Sequence, residues 1–346
     1  MVEVVIDAFG GDNAPREIVK GALEYLKENK DLEIVLCGDE KIVKNELDLL
    51  GYKGDKISVV HAPDIITNDD IPTKAIKEKT QSSLAVCFDI LKRDEDCIGL
   101  VSAGSTGAIL AGGFLKIGRI KGVSRPALCP FMPTKTGGQV LLLDCGANMD
   151  ANAINLCHFA AMGSAYYTSI TGIEKPRVAL LNVGTEEHKG NELCKEVFPL
   201  LGKMDINFVG NMEARDIMSG KYDVVVADGF AGNVLLKATE GALKLMMGEL
   251  KKAVKRNFLS KLGALFMKKS FKEMKKTYDF DVYGGSPFLG CKKIIIKSHG
   301  SSKAAAINAS IKQICALHKN QINDIIENSV KDLTAEKLKG EENGNI

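Results

Sequence analysis

Short apolar runs recur along the chain, and most stop at a cluster of small polar residues before an amphipathic stretch begins. "VEVVIDA" (2–8) runs into Phe9-Gly10-Gly11-Asp12-Asn13, and Pro15 opens "REIVKGALEYLKE". "CIGLVSA" (97–103) runs into Gly104-Ser105-Thr106-Gly107, then "AILAGGFLKIG". "QVLLLD" (139–144) runs into Cys145-Gly146-Ala147-Asn148-Met149-Asp150, then a long apolar stretch through Tyr167 that predicts a helix. "RVALLN" (177–182) runs into Val183-Gly184-Thr185-Glu186-Glu187-His188-Lys189-Gly190-Asn191, then "ELCKEVFPLL". "DVVVA" (223–227) stops at Asp228-Gly229-Phe230-Ala231-Gly232-Asn233, and helical spacing resumes at Leu235-Leu236-Lys237. "KKIIIKS" (292–298) meets His299-Gly300-Ser301-Ser302, then "KAAAINASIKQICALH". "LEIVLCG" (32–38) reads as a further strand with a plainer exit.

Continuous Val/Ile/Leu strands alternating with helices predict a parallel sheet covered on both faces, an α/β fold of three layers. In such sheets the loops after the carboxyl ends of the strands gather along one edge, where ligands bind. Gly, Asp, Asn and Ser are also ordinary turn and cap residues, so any one of these loops reads equally as a helix cap. Six exits of one chemical type point to a shared site.

Composition narrows the class. The chain has 346 residues, 45% hydrophobic and 26% charged, which suits one large α/β domain or two smaller ones and is ample for a core. A net charge of +2 does not suit a nucleic-acid binder. Nine cysteines without a C-x-x-C pair read as reduced core thiols of a cytoplasmic protein. "MVEVVIDAFGGD" is a strand from its start, so no signal peptide is expected, and no apolar run approaches the ~20 residues that span a bilayer. The expected organisation is a single catalytic domain, 1–333, with a basic segment, 240–280, embedded in it and a polar tail, 334–346.

The polar loops supply backbone N–H groups beside helix starts together with Ser105, Thr106, Thr185, Lys189, Asn233, Ser301 and Ser302. Such donors suit an anion, phosphate above all. No G-x-G spacing, no G-x-x-x-x-G-K-[ST] and no G-x-S-x-G occurs, so a dinucleotide, an ATP phosphate loop and a hydrolase nucleophile are not indicated. His158 and His318 fall in helical stretches and read as packing or surface groups, whereas His188 and His299 lie in the loops and suit either acid–base work or capping. Asp7, Asp12, Asp144, Asp150 and Asp228 stand at strand ends without a compact ligand motif, so neither a metal nor a cofactor is expected.

Seven segments together resemble the bacterial acyl-acyl-carrier-protein:phosphate acyltransferase family (PlsX). They are "DAFGGDNAP" (7–15), "SAGSTGA" (102–108), "LDCGANMD" (143–150), "LLNVGTEEHKGN" (180–191), "NMEARDI" (211–217), "DVVVADGFAGNVLLKATEG" (223–241) and "HGSS" (299–302). Two departures are visible: Ser105 stands where the family usually has Asn, and the stretch "AIKEKTQSS" (75–83) is less basic than usual. The resemblance implies transfer of a long-chain acyl group from an acyl carrier protein thioester to inorganic phosphate. It further implies that the acyl phosphate feeds phospholipid synthesis, with a glycerol-phosphate acyltransferase as downstream partner. It also implies the fold of the isocitrate and isopropylmalate dehydrogenases and a homodimer. With that reaction in hand, Lys189 is expected to bind phosphate and Asn233 to orient it or donate to the oxyanion. His299 either moves a proton or caps its helix, and Asp228 organises its turn. The expected substrate and phosphate contacts are Asp7, Gly10, Gly11, Asp12, Gly104, Ser105, Thr106, Gly107, Asn148, Gly184, Thr185, Asp228, Gly229, Gly232 and Ser301.

Residues 240–280 differ from the rest. Leu243, Met247, Leu250, Val254 and Phe258 fall at helical spacing, and ten lysines and arginines from Lys251 to Lys276 face only Glu249 and Glu273. A break is expected near Gly263, giving a basic amphipathic helical hairpin. It would pack on a dimer partner, meet an acidic carrier protein, or lie on an anionic membrane through Phe258, Leu259, Leu262, Leu265 and Phe266. Two rival functions remain open: a metal- and NAD-dependent decarboxylating dehydrogenase of the same fold, and a non-catalytic membrane-associated sensor of anions or lipids.

Overall fold

A computed structural model describes residues 2–278 and 284–334, apart from the side chains of Lys275 and Lys276. All of the expected tail except Thr334, and the last two residues of the basic segment, lie outside the described residues. The strands in chain order are β1 (Val2–Asp7), β2 (Leu32–Gly38), β3 (Ile57–His61), β4 (Cys97–Ser102), β5 (Ala127–Leu128), β6 (Phe131–Pro133), β7 (Gln139–Leu143), β8 (Arg177–Asn182), β9 (Asn207–Glu213), β10 (Val224–Val226), β11 (Ser286–Leu289) and β12 (Ile294–Lys297).

They form two sheets. The first runs β3-β2-β1-β4-β12-β11-β5 and the second β6-β7-β10-β8-β9. Pairing is parallel from β3 through β12 and from β7 through β9, with antiparallel strands only where β11, β5 and β6 join. The predicted single sheet edge is therefore two edges. The exits of β1, β4 and β12 belong to one sheet, and those of β7, β8 and β10 to the other. Sequence order records which strands alternate with helices, but not which strands become neighbours, so it cannot separate two sheets from one.

The strands are Val/Ile/Leu-rich because both faces are buried. Alternate residues of β1 serve opposite layers. Val4 and Ile6 pack with Ile18, Val19 and Ile307, whereas Val5 packs with Phe88, Leu91 and Ile109. The helix Ala153–Thr171 is apolar on nearly every side because it lies between the sheets' covers. A Cβ at Gly163 would press on Leu143 and Val224 of the second sheet, while Tyr166 Oη accepts from Gln313 Nε2 of the helix Ala304–Lys319 at 2.7 Å.

The basic segment is carried by three consecutive helices, Gly229–Lys255, Phe258–Phe266 and Lys268–Thr277. The break expected near Gly263 falls instead at Arg256-Asn257 and again at Met267. Asn257 Oδ1 caps the second helix by accepting from Ser260 N at 2.8 Å, and Gly263 has no steric need to end one. The stripe Leu243, Met247, Leu250 and Val254 is half-buried, as its spacing predicts. Phe258 and Phe266 leave that pattern, 77% and 83% exposed. No helix among the described residues is long and apolar enough to cross a membrane.

Candidate active site

Two buried aspartates set the loops. Asp7 ends β1 and accepts from Ser102 Oγ at 2.7 Å and from Phe9 N at 3.3 Å. Asp144 follows β7 and accepts from Leu128 N at 2.9 Å, Asn148 N at 2.6 Å, Asn148 Nδ2 at 2.9 Å and Ala147 N at 3.2 Å. Burial pushes both carboxyls above the usual range, and the hydrogen bonds to each oppose that shift. Both are closed to solvent, so they shape the site without facing a ligand.

The loops are fastened in pairs. On the first sheet, Asp12 N donates to Gly300 O at 2.8 Å and Asn13 Nδ2 donates to Ser301 O at 3.0 Å. Gly10 lies so close to the next loop that a Cβ there would stand 2.7 Å from Gly104 N and 2.6 Å from Asp7 Oδ2. On the second sheet, Gly229 N donates to Asn148 O at 2.9 Å, and a Cβ at Gly232 would overlap the Asp144 carbonyl oxygen. These glycines are needed for close backbone approach. Asp228 caps the helix Gly229–Lys255, its Oδ1 accepting from Phe230 N at 3.0 Å and Ala231 N at 2.9 Å. Asn148 Nδ2 is committed to Pro126 O at 2.8 Å as well as to Asp144.

Pinned in this way, the helix from Gly229 presents Asn233, Leu236, Lys237 and Glu240 on one face, as the i, i+3, i+4, i+7 spacing requires. The facing wall comes from the first sheet: Thr106 after β4, and Lys297 and His299 at the exit of β12. Leu128, Pro130, Phe131 and Cys145 close the base of this cavity of about 140 Å³. A second lobe of about 430 Å³ lies beside it, lined by Phe9, Gly11, Asp12, Gly104, Ser105, Gly300 and the stretch 65–68. The lobes share Thr106, Lys237, Lys297 and His299. Cavities for drug-sized ligands run to ~300–1,000 Å³, so the inner lobe suits a small group.

The inner lobe is positive. Lys237 Nζ pairs with Glu240 Oε2 at 2.7 Å. Lys297 is pushed down to about 8, first by burial and then by Lys237, with Asp12 and Glu240 opposing. His299 holds the turn. Ser301 N donates to its Nδ1 at 3.2 Å, with Ser301 Oγ 2.8 Å from the same nitrogen, so in the neutral ring the proton is on Nε2. The cap of the following helix is Lys303.

Of the residues expected from sequence, the cleft brings together Gly11, Asp12, Gly104, Ser105, Thr106, Asn233 and His299. Asp7, Gly10, Asn148, Asp228, Gly229 and Gly232 form its frame, and Ser301 steadies His299. Gly107 packs on Pro72, where a Cβ would stand 2.6 Å from Cγ. The loop 183–191 stands apart. Thr185, His188 and Lys189 are exposed, Gly184 is buried beneath the Lys189 stem, and Lys189 lines neither lobe. This loop leaves β8, the immediate neighbour of β10, and is held by Asn182 Nδ2 on Lys189 O at 3.0 Å and Asn211 Nδ2 on Glu186 O at 2.9 Å. Lys237, Glu240, Lys297 and Phe131 were not anticipated; the first two follow Asn233 at helical spacing, which was the available signal.

Comparison with known proteins agrees over almost the whole length. The family of fatty acid synthesis proteins matches residues 2–325. A phosphate acyltransferase of Clostridium novyi (strain NT) is 45% identical over 330 residues, 95% of this chain and 99% of that protein. One from Clostridioides difficile (strain 630) is 40% identical over 341 residues, covering 99% of this chain and all of the relative. Among solved structures, a phosphotransacetylase from Streptococcus pyogenes shares the fold at a TM-score of 0.57 and 18% identity, over 95% of this chain and 94% of that one. A branched-chain phosphotransacylase from Enterococcus faecalis V583 does so at 0.56 and 14%, over 91% and 98%.

Proposed function

Because this chain belongs to the fatty acid synthesis protein family, whose relatives are phosphate acyltransferases, we propose that it moves a long-chain acyl group from an acyl carrier protein thioester to inorganic phosphate. A phosphate oxygen attacks the thioester carbonyl carbon, and a C–O bond forms as the carbonyl oxygen takes up negative charge. Collapse of that intermediate breaks the C–S bond and releases the thiolate, which takes a proton to become the carrier thiol. No covalent enzyme intermediate is needed. The protein must hold two substrates together and stabilise the oxyanion.

The observation that carries this reading is the inner lobe itself. Among the described residues, no hydrogen bond engages the Asn233 side-chain amide, and it lines one cavity with His299, Leu128, Pro130 and Phe131. Asn233 orients phosphate or donates to the oxyanion, and the Nε2–H of His299 supplies a further donor. Lys189, on the loop beside the β10 exit, comes to the phosphate when both substrates are bound. The test is a hydroxylamine trap for acyl phosphate with acyl carrier protein thioester. Hydroxamate should require phosphate and need neither ATP nor NAD. Product in phosphate-free buffer, or a requirement for ATP, refutes the reading.

The same reading extends to the rest of the chain. Residues 1–333 act as one catalytic domain on the plan of the isocitrate and isopropylmalate dehydrogenases, in a homodimer. The helices from Phe258 to Thr277 fold as a hairpin against an anionic membrane, holding the enzyme at the cytoplasmic face where its product is consumed by a glycerol-phosphate acyltransferase. The exposed Phe258, Leu259, Leu265 and Phe266 among lysines support that placement.

A further inference from the structure

The two lobes of the cleft differ in chemistry and meet at four residues, all hydrogen-bond donors: Thr106, Lys237, Lys297 and His299. The inner lobe has the apolar base. The outer lobe is walled by the backbone of Gly11 and Gly104 and by Ser105, whose hydroxyl makes no cap bond to the helix that follows it. A reaction between an acyl carbonyl and an anion has to take place where an apolar lobe meets a polar one.

Lys297 occupies that junction with an unusual balance of partners. Its Nζ donates to Ser298 O at 2.7 Å, which leaves two ammonium protons. Among the described residues it forms no ion pair, whereas Lys237 beside it is matched by Glu240 at 2.7 Å. A charged group partly withdrawn from water without an ion-pair partner is costly, and one that lines a cleft marks a candidate anion site. The other titratable groups facing it are Lys237 and Glu240 on the helix from Gly229, Asp12 on the loop after β1, and His299 beyond its own strand.

We propose that Lys297 seats the inorganic phosphate, holding it at the junction of the two lobes with Lys237 completing the positive wall. This rests on the acyl-transfer reading for the identity of the anion and adds a residue that the sequence pattern does not single out. An arriving dianion restores the charge balance around Lys297, whose pKa is otherwise held down to about 8 by burial and by Lys237. Phosphate binding therefore requires the protonated lysine and weakens as pH rises through about 8, a range in which phosphate itself stays a dianion.

The experiment compares the wild type with Lys297→Met and Lys297→Arg. Lys297→Met should raise KM for phosphate by ~10–100-fold, the range for a lost hydrogen bond to a charged group. KM for the acyl carrier thioester should change less than about twofold, and Lys297→Arg should recover most of the loss. In the wild type, kcat/KM for phosphate should fall above pH ~8, and in Lys297→Arg the fall should vanish because the guanidinium stays protonated. Unchanged KM for phosphate in Lys297→Met, or an equal rise for both substrates, overturns the assignment. If Lys297→Met does not fold, the wild-type profile decides: a flat kcat/KM for phosphate from pH 7 to 9.5 overturns it. If the wild type makes no phosphate-dependent hydroxamate, the acyl-transfer reading has failed. Calorimetric titration of inorganic phosphate alone into the wild type and Lys297→Met then still tests Lys297, and equal affinity refutes it.

Discussion

At pH 7 the unfolded and folded chains both carry a proton on Lys297, but only the folded one holds that charge partly away from water. The fall from 10.5 to about 8 corresponds to roughly 3 kcal/mol at 1.36 kcal/mol per unit. The unfolded chain keeps its proton up to 10.5, so this cost is full below about 8 and disappears as pH climbs from there to 10.5. Lys297→Met in phosphate-free buffer should therefore be more stable than the wild type by roughly 1–3 kcal/mol at pH 7, and the gain should shrink by pH 10.5. Urea unfolding at the two pH values checks it, and an equal gain at both excludes burial of charge as the cause. Asn233→Ala and Lys189→Ala should each lower kcat by ~10²–10³ with little change in stability, as for other positioned donors to an oxyanion. Near-normal turnover in a folded variant removes that residue from the reaction. Asn233 was legible because it closely follows the point where a buried strand stops. Lys297 was not: "IIIKS" looks like any strand ending in a solvated lysine, and its burial is created by a helix that begins far back in the chain at Gly229.

Among the elements, seven Val/Ile/Leu strands could be read almost to the residue, since burial on both faces imposes a continuous apolar run; the half-exposed edge strands β3 and β9 lack such a run and could not be read. β5, β6 and β11 could not either. They are two to four residues long, and the last two contain Pro133 and Pro287, so neither period nor propensity marks them. The start of the helix Gly229–Lys255 was placed late, at Leu235, because its first turn, Gly229-Phe230-Ala231-Gly232, holds two glycines, an alanine and an exposed Phe230. Those small residues are needed where the helix meets the Asp144 loop. Gly232→Ala should consequently cost about 1–3 kcal/mol in chemical denaturation, the range for overpacking, and lower activity by displacing Asn233. A substitution to Ala that leaves both unchanged would mean the loop and helix can separate freely.

For the molecule as a whole, sequence gave the layers but merged two sheets into one, because the alternation of strands and helices is the same in both arrangements. The distinction matters, since the cleft takes Lys297 and His299 from one sheet and Asn233 and Lys237 from a helix on the other. The exposed apolar face belongs to this scale too. Leu262→Glu with Phe266→Glu should abolish sedimentation with anionic vesicles, because carboxylates are not tolerated among acyl chains. High salt should weaken wild-type sedimentation, since exposed charges are screened within ~8 Å at physiological ionic strength. Turnover of a soluble thioester should persist in the double variant. A folded, active double variant that still sediments with vesicles shows that these side chains do not meet lipid.

The helix capped by Asp228 does not stop at the cleft; it runs without a break from Gly229 to Lys255, 27 residues in all. At 1.5 Å per residue that is a rod of about 40 Å, fixed at one end by the glycine contacts and the buried Leu235 and Leu236, and buried only in part along its outer half, at Leu243, Met247, Leu250 and Val254. A rod held at one end is a lever. Asn233 lies inside the clamped end, before the buried Leu235 and Leu236, so a tilt of about 5° about that point moves the far end by ~2.5 Å and leaves Asn233 in place. Reacting groups tolerate displacements of only about 0.5 Å. The outer end can thus follow whatever it meets while the amide at the clamped end keeps its place, and contact and catalysis stay uncoupled along one continuous helix.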